Sequence, residues 1–390
     1  MPALTFSERL RGVEGSPTLT LAAKAKALAK AGHAVVDFTA GEPDFPTPEP
    51  IKRAGVRAVE ANQTRYTPVG GIPELRQAIA DHMNKTRGTG YAVGQTLVTC
   101  GAKHALFNVF QALCQAGDEV IVLSPYWVSF PPLVRLSGAT PVIVPTKETD
   151  GFQPDLEAVR GALSDATKVM IVNSPSNPTG AVIERARLEA LAHLALERGV
   201  VIVSDEIYDE LVYPPAAQVS ILQVDPRLAE QAVVVGGVSK SYSMTGWRIG
   251  YALGPQPLIE AMTRLQSHST SNPTSISQYA ALAAITGDQG SVATMRAEFQ
   301  KRRDRLVAGL NGLMGCRVRT PQGAFYAWCN TSGLGRPAAA LAERWLEDAL
   351  VATVPGEGFG SSDHIRFSFA TAVEQIDEGL KRLSRWVANH

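Results

Sequence analysis

The sequence predicts an α/β protein: a large α/β/α domain built on a mainly parallel sheet, followed by a smaller α+β domain. Three observations predict it. Short all-apolar runs such as Val120-Ile121-Val122-Leu123 and Val200-Val201-Ile202-Val203 show no polar alternation, so both faces of each strand need cover. Amphipathic helical stretches separate these runs, the alternation expected of parallel strands joined by helical crossovers. The 390 residues exceed one domain at roughly 100–200 residues each, and the alternation gives way near residue 283.

Taken in order, the Pro-rich and acidic segment Gly41–Pro50 reads as a loop leading into a large domain at 46–282. Leu97–Cys100 reads as a strand and Lys103–Gln115 as a helix, then Val120–Leu123 as a strand and Val128–Leu136 as a helix. Pro141–Val144 and Val169–Val172 are strands, Glu184–Glu197 is a helix, and Val200–Val203 and Val233–Val235 are strands. The smaller domain combines residues 1–45 with 283–390. Its expected parts are a long helix (Ser291–Leu313), strands near Arg317–Arg319, Phe325–Cys329 and Ile365–Phe369, and a final helix. Ligands of such sheets bind beyond the carboxyl ends of the strands, so the residues just after each strand are the candidates.

Composition narrows the function. Lys plus Arg and Asp plus Glu are both 37, a formal net charge of zero, which leaves no basic excess for a nucleic-acid backbone. Met1–Gly15 carries Glu8, Arg9, Arg11 and Glu14 without an apolar run, unlike a signal peptide, and no window reaches the ~20 apolar residues of a membrane span. Cys100, Cys114, Cys316 and Cys329 form no C-x-x-C pair, so reduced thiols in a cytoplasmic protein are expected, with no metal site.

Four stretches carry chemistry. At Cys100-Gly101-Ala102-Lys103-His104 a strand ends and a helix begins, which favours an anion at the free amides, although a tight turn needs a Gly in any case. In Asn173–Gly180 two prolines fix Asn177 above a strand end, and a turn-forming Asn has the same pattern. Asp205 follows an apolar strand with Tyr208 three residues on; a carboxylate there needs a cationic or hydrogen-bonding partner, or it is a helix N-cap. In Gly237–Gly250, Lys240 follows a strand among small and hydroxylated residues, and Arg248 lies between glycines. A lysine in a dry cleft becomes a nucleophile for carbonyls, and a nearby arginine holds a phosphate through paired hydrogen bonds.

The Gly237–Gly250 pattern resembles the cofactor-attachment motif of the class I, fold-type-I, pyridoxal-phosphate aminotransferases. Gly41-Glu42-Pro43-Asp44-Phe45, Asn173–Gly180, Ser204–Tyr208, Pro125-Tyr126-Trp127 and Arg366-Phe367-Ser368 extend that resemblance in order along the chain. Within the family it is nearest to the bacterial aspartate aminotransferases, through Ser124–Ser129 and Gln266–Pro273. The resemblance implies a homodimer with active sites at the interface and a Schiff base between Lys240 and pyridoxal 5′-phosphate. Lys240 would also shuttle the substrate proton, and Asp205 would pair with the pyridine nitrogen. Tyr208 and Asn177 would bond the 3′ oxygen, with Trp127 stacked on the ring. Arg248, Ser239, the Gly101, Ala102 and Lys103 turn, and Tyr66 of the second subunit would hold the phosphate. Arg366 would clamp the substrate's α-carboxylate, helped by Gly41, Trp127 and Asn177.

The resemblance implies amino transfer from aspartate or glutamate to a 2-oxo acid such as 2-oxoglutarate. The alternatives are aromatic, prephenate or neutral amino-acid preference, or a β-lyase. Lys103 is the candidate for the distal carboxylate, with a plain helix-start lysine as the competing reading. Departures from the pattern are His104, where Gln is common, Gly237, where some relatives carry Ser, and Glu14, where prephenate-using relatives carry Lys. An amine-sensing regulator would need an added DNA-binding segment, and a sugar aminotransferase would not need Arg366. The segment Ser16–Thr20 is the candidate lid.

Overall fold

The structure is a computed structural model that describes residues 4, 6–10, 13, 15 and 17–390. Glu14 and Ser16, on which the prephenate and lid expectations rest, lie outside the described residues; a helix occupies Pro17–Lys30. The strands in chain order are β1 (Val36–Asp37), β2 (Thr96–Thr99), β3 (Glu119–Ser124), β4 (Thr140–Pro145), β5 (Thr167–Asn173), β6 (Val201–Asp205), β7 (Ala232–Gly237) and β8 (Gly250–Leu253). The later ones are β9 (Arg317–Val318), β10 (Tyr326–Asn330), β11 (Val351–Ala352), β12 (Val354–Pro355) and β13 (His364–Ser368).

The large sheet has seven strands in the order β2-β8-β7-β6-β5-β3-β4. Its strands alternate between two apolar layers, as extended chains must when both faces are covered. Val98, Ile121, Met170, Ile202 and Val234 face one core; Leu97, Val120, Val169, Val203 and Val233 face the other. Helices Pro73–Arg87, Arg185–Arg198 and Ser275–Thr286 cover the first side, and Ala102–Leu113, Phe130–Leu136 and Gln256–Ser267 the second. The expected α/β/α class is thus observed.

Among the differences from the sequence reading, two bear on the site. The helix expected from Val128 starts at Phe130, with Pro131 and Pro132 fitting a first turn that has no intrahelical amide partners. The second is β8, which was not anticipated. It pairs antiparallel with both β7 and β2, so it alone runs against the other six strands. Gly236 makes this pairing possible, because a Cβ there would stand 2.6 Å from the Tyr251 ring of β8.

A second sheet, β12-β13-β10-β9, packs with helices Gly290–Asn311, Ala338–Ala349 and Val373–Asn389 around Phe299, Phe325, Trp345 and Phe367. This is the smaller α+β part. β1 joins it from the other end of the chain by pairing in parallel with β11.

Candidate active site

Strand direction gathers the site. β3, β5, β6 and β7 are parallel, so Trp127, Asn177, Asp205 and Lys240 all lie just beyond one edge of the sheet. Because β8 is reversed, its first residue lies at that same edge: Gly250 pairs with Gly237 and with Thr99. Arg248 and the Gly101 turn therefore meet there too.

Lys240 donates from Nζ to the Gly41 carbonyl at 2.5 Å. Burial lowers its ammonium to about 8; Glu42 and Asp205 oppose that shift, while Arg366 and Arg248 reinforce it. Asp205 is buried, and among the described residues its hydrogen bond is from the Ile207 N–H to Oδ1 at 3.2 Å. Burial raises its carboxyl to about 7 against the pull of that amide and of Lys240. A buried carboxylate so weakly compensated suits a cationic partner above it. The Tyr208 and Tyr326 hydroxyls lie 3.0 Å apart, and burial holds the Tyr208 phenol protonated.

The next group forms an anion cradle. Arg248 adopts a left-handed backbone (φ 57°) that turns its guanidinium back over the helix start, where Nη1 donates to the Thr245 carbonyl (3.0 Å) and Nη2 to the Cys100 carbonyl (3.2 Å). A Cβ on Gly101 would stand 2.4 Å from Arg248 Nη2, and one on Gly250 would stand 2.2 Å from the Ala102 nitrogen, so both positions need glycine. The Ala102 and Lys103 amides open the helix Ala102–Leu113, with Ser239 buried at the same edge. His104 braces the turn by accepting the Cys100 N–H at Nδ1 (3.2 Å). Gly237 has a packing reason of its own: a Cβ there would lie 3.1 Å from Gly250 Cα and Ile207 Cδ1.

Arg366, in the middle of β13, is fully buried without a carboxylate partner among the described residues. Nη1 donates to Asn177 Oδ1 (3.0 Å) and Nη2 to the Thr39 carbonyl (3.2 Å), while Nε has no partner. Its guanidinium lies over Tyr326 (4.3 Å) and Phe359 (5.0 Å). Desolvation of that charge is incompletely repaid, so the guanidinium could hold a carboxylate. Lys103 Nζ lies 4.9 Å from the Trp127 ring centre, and burial and Arg248 both lower its ammonium. Tyr66 is 92% exposed and makes no hydrogen bond to the residues above. Gly41 would tolerate a Cβ, 3.8 Å from the Tyr326 hydroxyl, so its contribution here is its carbonyl.

The sequence reading missed Tyr326, Thr39, Phe359 and Glu42. No motif marks the first three, since only the pairing of distant strands brings them under Arg366. Glu42 belongs to a quoted motif, and its contact with Thr245 Oγ1 (2.6 Å) ties that loop to the Lys240 segment.

These residues fit pyridoxal phosphate: an amine for its carbonyl, a buried carboxylate for its ring nitrogen, and a turn whose glycines let Arg248 and the Ala102 amide crowd together at a helix start. The lysine provides a test. Cofactor-free protein should capture pyridoxal phosphate faster as pH rises from about 7 to 9 and level off above, because Lys240 becomes neutral near 8. Stopped-flow absorbance that keeps rising beyond pH 10 would instead indicate an ordinary lysine.

The chain is similar to known proteins along nearly its whole length. The family described as aminotransferase class I and II matches residues 33–383. The aspartate aminotransferase of Geobacillus stearothermophilus is 45% identical over 98% of this chain and 99% of its own length. The aspartate/prephenate aminotransferase of Thermus thermophilus is 46% identical over 97% and 98%. A solved Thermus thermophilus aspartate aminotransferase with maleate superposes with a TM-score of 0.95 at 44% identity, covering 98% of this chain and all of that one.

Proposed function

The chain belongs to the class I and II aminotransferases, which are pyridoxal-phosphate-dependent, and from that premise we propose that it moves the amino group of aspartate or glutamate to a 2-oxo acid such as 2-oxoglutarate. The observation that carries this reading is the uncompensated Arg366 guanidinium beside Asn177, at the same sheet edge as Lys240 and Asp205. When bound, the cofactor supplies an electron sink for the substrate's Cα. Arg366 takes the α-carboxylate, with Asn177 and the Thr39 carbonyl fixing the fork. That grip would orient the substrate's Cα so that loss of the proton is favoured over loss of CO₂. Lys240 would take that proton, Asp205 would hold the proton on the ring nitrogen, and Tyr208 and Asn177 would bond the 3′ oxygen. Trp127 would stack on the ring, and Arg248, Ser239 and the Gly101–Lys103 turn would hold the phosphate.

The aspartate preference rests on Lys103 and on the names of the relatives. A half-reaction panel tests it, reading the cofactor's absorbance as purified enzyme meets single amino acids. Fast conversion with aspartate and glutamate, slowed about tenfold or more by Lys103→Ala, is the expected result. Conversion with neutral or aromatic amino acids alone would overturn the dicarboxylate preference. Release of ammonia and pyruvate without amino exchange would indicate a β-lyase. Adding arogenate, the amino-exchange product of prephenate, covers the activity named for the Thermus relative.

The working form we propose is a cytoplasmic homodimer. Val56, Val59 and Tyr66 are exposed around one helix and the loop after it, which supports a subunit contact that carries Tyr66 to the second site. All four cysteines are free, which supports a reducing compartment. No helix among the described residues is long and apolar enough to cross a membrane. We take residues 46–282 as the cofactor domain, and 1–45 with 283–390 as the smaller one.

A further inference from the structure

Glu148 belongs to the turn Glu148–Asp150 that comes after β4, the edge strand of the large sheet, yet its side-chain partners are all on the small sheet. Arg317 of β9 approaches it two-pronged, Nε to Oε1 at 2.9 Å and Nη2 to Oε2 at 3.0 Å. Asn330 of β10 donates Nδ2 to Oε2 at 2.7 Å. His364 of β13 brings Nε2 to 3.5 Å, a contact rather than a hydrogen bond, since that atom has no partner. The strand register explains the convergence. Asn330 is paired with Arg317 on one side and with His364 on the other, so the three form one row across three strands. A single carboxylate from the large sheet thus holds a whole row of the small one.

The next row on that face contains Arg366, paired with Trp328. Strand side chains two apart share a face, so the clamp and the guanidinium lie on the same side. The space between them is filled with rings. Trp328 stacks on His364 (5.1 Å, 7°), Phe359 packs on Trp328 (5.4 Å), and Arg366 lies over Phe359. Phe152, from the same turn as Glu148, packs edge-on against His364 (6.2 Å). The large-sheet side is fixed as well: the Thr146 N–H donates to the Ser124 carbonyl (2.7 Å) and the Tyr126 N–H to the Phe359 carbonyl (3.1 Å), next to Trp127.

We propose that Glu148 is a positioning residue that sets the Arg366-bearing sheet against the Lys240–Asp205 edge, and so fixes where the substrate's α-carboxylate sits. The proposal rests on the reading of Arg366 as the carboxylate clamp. Burial opposes the Glu148 charge, but Arg317 and Asn330 outweigh it and hold the carboxyl below its usual range, so the clamp is charged at neutral pH. Most surface ion pairs contribute little. This one is largely buried on the Glu148 side and serves two sheets, and a shifted guanidinium loses the paired geometry with which it holds a carboxylate.

The test compares Glu148→Gln, Arg317→Ala and the double variant as holoenzymes. Arg317 is 70% exposed, so its loss leaves the fold intact. KM for the amino acid should rise about tenfold in each single variant, with kcat within about twofold and cofactor affinity unchanged. The double variant should be no worse than either single one, because both break the same contact. The dissociation constant of succinate, read from the cofactor's spectrum, should rise by the same factor. Unchanged KM and succinate binding, fully multiplicative losses, or a joint fall in kcat and cofactor retention would each overturn the proposal. A wild-type enzyme that transaminates nothing would sink the aminotransferase reading, while the succinate arm would still decide the role of Glu148.

Discussion

Lys240→Ala should lower kcat by roughly 10⁴-fold, the upper end of what one positioned acid–base group contributes. The site offers no close replacement. Arg248 is tied to the Thr245 and Cys100 carbonyls, Arg366 would hold the α-carboxylate, Asp205 would be committed to the ring nitrogen, and Lys103 lies against Trp127. Lys240 is suited to the task because burial brings its amine to about 8, where the neutral base is populated near neutral pH and proton transfer in either direction is near balance. The fold should survive, since the variant removes a half-buried ammonium whose one hydrogen bond among the described residues is to the Gly41 carbonyl. Cofactor should still bind through Arg248, Ser239 and the Gly101 turn, but it should exchange on gel filtration instead of staying attached. The decisive measurement is single-turnover absorbance with aspartate: conversion within tenfold of wild type would remove Lys240 from the centre of the chemistry.

The residues legible from local pattern alone share one property: each comes directly after a strand whose apolar run announces it. Asp205 at the end of β6 and Lys240 beyond β7 could be placed at a sheet edge from local pattern alone. Arg248 was found by its motif, but its meeting with Gly101 depends on the reversal of β8. That strand is four residues long and starts inside the motif, too short for its period to show. The surroundings of Arg366 were illegible for a related reason. Its partner Thr39 lies 327 positions away, and Tyr326 and Phe359 reach it only through strand pairing and packing in the small sheet. Glu148 is the extreme case, an acidic turn residue by sequence that becomes a clamp when two sheets from distant parts of the chain meet. Local periodicity encodes the elements and the turns at their ends, whereas contacts between elements far apart in sequence are set by tertiary packing.

Asp205→Asn should lower kcat by roughly 10²–10³-fold, the loss typical of removing one preorganised charge from a dry site. Asparagine keeps the shape and can still accept the Ile207 N–H, so the loss reports charge alone. The same variant should have opposite effects on stability with and without cofactor. In the cofactor-free chain burial raises the Asp205 carboxyl to about 7, above its value in the unfolded chain, so the folded form retains a proton that the unfolded form has lost. Stability therefore falls as pH rises from about 4 to about 7. Asparagine escapes this cost, and the cofactor-free variant should melt above the wild type at pH 8 but level with it near pH 4. With cofactor bound the protonated ring nitrogen compensates the carboxylate, so the wild type should melt above the variant at pH 8. Calorimetric melts of both proteins in both states give four curves. A variant that is less stable than wild type at pH 8 without cofactor would mean that Asp205 is already well satisfied within the chain, and the case for its partnership with the ring nitrogen would fail.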